Sequence, residues 1–161
     1  MKINHVAGNV IIECPETQEF LFNQYDTGYP FKIYHNLINF LGGGKSPGDE
    51  SPQALVRREI GEELAIQENT EHDESLLSDT GGKGYELPKV GARASPADIR
   101  VVRESVLGNM EPFQDFLVTY AILPDGPKLK VPDTIFTVFA SRLPEDVFRV
   151  IKENLKAGKS L

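Results

Sequence analysis

Glu59, Glu62 and Glu63 stand at i, i+3 and i+4. On a helix that turns about 100° per residue they share an arc of roughly 100°. Carboxylates this close repel, and each such pair weakens a helix by a few tenths of a kcal/mol. A divalent cation removes that cost. Magnesium, with manganese as a candidate substitute, takes hard oxygen ligands, keeps several waters and bridges carboxylates to substrate phosphates. Just upstream runs Gly42-Gly43-Gly44-Lys45-Ser46-Pro47-Gly48. Such a loop lets backbone approach a phosphate, which makes Gly43, Gly44 and Lys45 the candidate substrate contacts. The plainer reading is a solvated acidic face paired locally with Arg57 and Arg58, and a Pro47-Gly48 turn. A mere linker has no need to precede the carboxylates at a fixed distance, and that favours chemistry.

Positioning these residues requires a helix, and the sequence signals one from about Ser51. Ser51 suits the N-cap and Pro52 the first helical position. Val56, Ile60 and Leu64 recur at i, i+4 and i+8 as one buried stripe. Residues 6–13 read as a strand, 14–18 as a turn around Cys14 and Pro15, and 19–25 as the returning strand of a hairpin. A third apolar run covers 33–41. The glycine run at 42–48 reads as loop. Residues 67–89, acidic and then glycine-rich, read as a mobile insertion outside the core. Two further strands are expected at 99–107 and 113–123, joined through 108–112, and a last strand at 134–140. A C-terminal helix begins near Pro144, with Glu145 and Asp146 in its first turn and a stripe of Val147, Ile151 and Leu155. Lys152 and Lys156 lie late in it, and Gly158 ends it. The 161 residues fit one domain.

Composition narrows the function. No apolar run approaches the roughly 18 to 20 residues of a membrane span, and no secretion signal opens the chain. Cys14 is the only cysteine, so no internal disulfide forms, which fits a reducing, cytoplasmic setting. The net charge of −7 argues against long DNA or RNA as a partner. A small polyanion remains admissible if a local cation offsets the field. Monomer and homodimer are equally open.

The stretch from Gly44 to Ile66 resembles the box of the Nudix hydrolase family. That box reads Gly, five residues, Glu, seven residues, Arg-Glu, aliphatic, any, Glu-Glu, any, Gly, aliphatic. Gly44, Glu50, Arg58, Glu59, Ile60, Glu62, Glu63 and Ile66 stand in the required places, and Ala65 replaces the second Gly. Eight such matches arise by chance in on the order of one chain in a million or fewer. The resemblance implies an α/β/α sandwich with a mixed sheet. It implies a soluble enzyme in which water attacks a phosphorus of a diphosphate linkage in a nucleoside diphosphate derivative. It implies Glu59, Glu62 and Glu63 as metal ligands, Arg58 as the residue holding a box carboxylate in place, and Glu50 as a supporting acid. A second reading is a Nudix-fold module that binds a nucleotide-like ligand without cleaving it. The glycine replaced by Ala65 adopts a left-handed conformation that costs another residue about 1 to 2 kcal/mol.

The resemblance also suggests a further acid from a later loop. Asp125, Asp133 and Glu111 are the candidates, although each reads first as a surface turn residue. Tyr25, Tyr29, Phe31 and Tyr34 have the chemistry to stack on a base, but read first as packing. His5, His35 and His72 show no ligand spacing, and Cys14 has no evident base.

Overall fold

The computed structural model describes residues 5–24, 36, 38–64, 92–122 and 128–161. In chain order the elements are β1 (His5–Cys14), β2 (Glu19–Leu21), β3 (Asn23–Gln24), β4 (Ile38–Asn39), β5 (Leu41–Gly44), α1 (Pro52–Glu63), α2 (Pro96–Gly108), β6 (Met110–Ile122), β7 (Lys128–Arg142) and α3 (Glu145–Lys156). The architecture is α/β with a mixed sheet, as expected. β1 is its axis, antiparallel to β2 and β5 along one edge and parallel to β7 along the other. β6 closes the far side antiparallel to β7, and β3 and β4 form a separate short pair.

Strand alternation sets the core. Val10, Ile12 and Cys14 are buried, while Ile11 and Glu13 between them, and Asn9 before them, are only partly covered. Their inner face joins Leu55, Val56 and Ile60 of α1, Ile99, Val102 and Val106 of α2, and Phe148 and Ile151 of α3 in one cluster. A side chain at Gly8 would stand 2.6 Å from Val56 Cγ2, so α1 lies directly on β1. Ser141, paired with Ile12, donates its hydroxyl to the Val106 carbonyl at 2.9 Å and ties α2 to the same face. Each large aliphatic side chain buried this way contributes about 1.5 to 3 kcal/mol.

The structure corrects several expectations. Residues 99–107 form a helix, not a strand. Their valines suggest β structure, but Ile99, Val102 and Val106 fall on one helical face and are buried together. Pro96 opens that helix, and the Ser95 hydroxyl caps it by accepting from Asp98 N at 3.1 Å. The glycine run is not all loop either, because Gly42, Gly43 and Gly44 continue β5 opposite Asn9, Gly8 and Ala7. Cys14 ends β1, fully buried, rather than starting the turn. In α3, Leu155 is 52% exposed, and the inward place goes to Asn154. Its amide donates to Asp98 Oδ2 at 3.1 Å, linking α3 to α2. Residues 110–112 belong to β6 rather than to a connection, and Pro112 is tolerated there beside a register shift on an outer strand.

The helix at Ser51 forms as expected. The Ser51 hydroxyl accepts from Ala54 N at 3.0 Å, and Val56, Ile60 and Leu64 are all buried. The expected insertion at 67–89, Ala65, Ile66 and the tyrosine-rich stretch lie outside the described residues. Among the described residues no helix is long and apolar enough to cross a membrane.

Candidate functional site

Burial of the apolar stripe fixes the rotation of α1. Arg58, Glu59, Glu62 and Glu63 are thereby left on its partly solvated side, and Glu59 and Glu63 reach the glycine strand β5. That strand is glycine for two separate reasons. Gly42 has φ +139°, and a Cβ there would collide with the Gly8 carbonyl oxygen. Its N–H donates to Glu63 Oε2 at 3.2 Å. At Gly43 a Cβ would fall 2.5 Å from the Glu59 carboxylate. The glycines therefore make room for the helix carboxylates, a role the loop reading did not contain. Gly44 adds its carbonyl, which accepts from Arg58 Nη2 at 3.0 Å. Lys45 is exposed, and its backbone N–H holds Val6 O at 2.9 Å.

These two glycines should respond differently to alanine. Gly42→Ala meets rigid backbone at a positive φ and should lower stability measurably in a denaturant titration. Gly43→Ala meets the mobile end of Glu59 and should cost clearly less stability in the same titration.

Arg58 organises the acidic face. Its Nε and Nη2 donate to Asp49 at 3.1 and 3.0 Å, Nη2 also reaches Glu59 Oε1 at 2.8 Å, and Nη1 reaches Glu62 Oε2 at 3.0 Å. Arg58 thus holds two box carboxylates in place. The acid that braces it in return is Asp49 rather than Glu50. Asp49 is buried and accepts from Ser46 N at 2.8 Å, while its own N–H donates to Ser46 O at 3.0 Å. Glu50 is exposed. Sequence reading missed Asp49, although an acid three residues after a serine before a helix is a recognisable turn signal. It also missed Asn23, whose amide donates to Glu63 Oε1 at 3.1 Å from 40 residues away.

The electrostatics separate the acids. The Arg58 hydrogen bond holds Asp49 below the ordinary carboxylate range, and Asp49 in turn raises Arg58. Burial pushes Glu59 up against the opposing pull of Arg58. Glu63 is pushed up to about 8, by burial first and then by the nearby Glu59 charge, against the opposing bonds from Gly42 and Asn23. Without a metal, a carboxyl raised from 4.5 to about 8 stabilises the fold fully below pH 4.5, and that contribution is lost as pH rises through 8. In chelator, thermal melts of the parent should therefore fall between about pH 5 and 8.5 relative to those of Glu63→Gln. A parallel pair of curves would contradict this account of Glu63.

Among the described residues, no three acidic side chains already converge into a metal cage. Glu62 is turned to Arg58, while Glu59 and Glu63 flank the glycine strand. Oxygen donors that gather partly buried negative charge fit a hard divalent ion. Of the later acids, Asp133 lies inside β7 rather than in a loop before it, next to Thr134, which pairs with His5 near the end of β1 where Lys45 N binds Val6 O. Glu111 is exposed opposite Ala140, towards the other end, and is not brought to the site. Asp125 lies outside the described residues. No family model, curated protein or solved structure matches this chain.

Proposed function

We propose that this chain is a Nudix-type hydrolase. It uses magnesium, or manganese in its place, to cleave a diphosphate linkage in a nucleoside diphosphate derivative. The carrying observation is the half-buried Glu63, set with Glu59 against glycines whose place a side chain would contest, at the box positions of the sequence. The mixed sheet with α1 and α2 packed on one face fits an α/β fold, and the second helical layer of an α/β/α sandwich belongs to the proposal alone.

Glu59 and Glu63 would hold the cation, with Glu62 joining them from its exposed position beside Arg58. A bound cation neutralises the diphosphate and lowers the pKa of an attacking water. Arg58 keeps Glu59 and Glu62 oriented while Asp49 keeps Arg58 in place. Lys45, exposed at the start of the loop, adds positive charge for an incoming phosphate in a chain of net charge −7. Such a site holds magnesium weakly until substrate phosphates complete the coordination. Calorimetry should show magnesium affinity rising when a non-hydrolysable diphosphate ligand is present. Independent binding of the two would count against the proposal.

A further inference from the structure

We propose that Asn23, which lies outside the box, is a positioning residue of this cation site: its amide orients Glu63 without neutralising it. The inference rests on the hydrolase reading above. Strand alternation turns Asn23 inward, since Phe22 and Gln24 on either side are exposed and Phe22 packs outward on Phe40 at 5.3 Å between ring centres. Asn23 pairs with Asn39 in the short β3–β4 sheet, which fixes its height along the strand. Its Nδ2 donates to Glu63 Oε1 at 3.1 Å, while Gly42 N donates to Oε2 at 3.2 Å. Each carboxylate oxygen is thus held by one donor from a different strand. A carboxylate has about four acceptor positions, so two stay free for ligation.

The chemistry of the donor carries the argument further. A lysine or arginine here would also anchor Glu63, but it would cancel the charge that attracts a cation. The Asn23 amide and the Gly42 N–H are both uncharged. Uncharged donors add no counter-charge of their own beside a bound cation, whereas Glu59 and Glu62 are paired with Arg58. Gly42 acts through backbone, so Asn23 is the side chain through which this orientation is set.

The test uses Mn2+ alone, titrated into the full-length protein and followed by electron paramagnetic resonance, with thermal melting as control. Asn23→Leu keeps the size and removes the donor, and should weaken Mn2+ binding roughly tenfold, within the range for loss of an outer partner of a ligand. In turnover assays the magnesium needed for half-maximal rate should rise by a similar factor, with kcat largely recovered at saturating metal. A purely structural asparagine would lower the melting temperature and leave Mn2+ affinity alone. Asn23→Lys keeps a donor but adds charge, and should abolish Mn2+ binding even if the leucine variant folds poorly. Parental Mn2+ affinity in either folded variant overturns the proposal for Asn23 while leaving the hydrolase reading intact. A parent that binds no Mn2+ even beside a non-hydrolysable diphosphate ligand overturns both.

Discussion

Glu63→Gln should lower turnover by orders of magnitude in saturating magnesium while leaving the protein at least as stable as the parent. The substitution keeps size and removes the charge that a cation needs. Its structural consequences are small. The carbonyl of the new amide can still accept from Gly42 N, and the Asn23 amide can turn over to meet the new NH2 group. Above neutral pH the variant also escapes the burial of a carboxylate beside Glu59, which is what raises Glu63 to about 8 in the parent. Stability and activity therefore move apart. Steady-state kinetics beside a denaturant titration reads both. If these glutamates are only a solvated face, activity stays within a small factor of the parent.

Arg58→Ala should lose on both counts. It strips away Asp49, Glu59, Glu62 and the Gly44 carbonyl at once. Asp49, with a side chain only 5% exposed, is left with its bond from Ser46 and without the Arg58 counter-charge. Removing one member of a buried ion pair costs about 3 to 5 kcal/mol. Arg58 keeps 28% exposure, so roughly 2 to 3 kcal/mol is the expected loss in chemical denaturation. Turnover should fall as well, because Glu59 and Glu62 lose the group that orients them. Glu50→Ala is the contrast: an exposed residue whose bracing place Asp49 has taken should change stability by no more than about 0.5 kcal/mol.

The helix bearing the carboxylates is legible because several local signals agree. Ser51 caps it, Pro52 fits its first turn, and Val56, Ile60 and Leu64 supply the buried stripe. Helical spacing alone therefore sets Arg58 beside Glu62 and Glu59 beside Glu63. What is not legible depends on contacts distant in sequence. Gly42 to Gly44 have little strand propensity of their own, and pairing with β1 makes them a strand. Nothing local announces that Asn23 meets Glu63, because that contact needs the β3–β4 pair and the α1 rotation together. The valines of residues 99–107 favour either period, and burial against Ser141 and α3 decides for a helix.

The most direct measurement is phosphate-containing product released from a panel of nucleoside diphosphate derivatives, nucleotide sugars, capped dinucleotides and coenzyme A, with magnesium, with manganese and with chelator. The account predicts cleavage of at least one diphosphate linkage that requires the metal and disappears in Glu63→Gln. Silence across the panel, together with ligand-induced thermal stabilisation of the parent, would contradict it and establish a binding module instead.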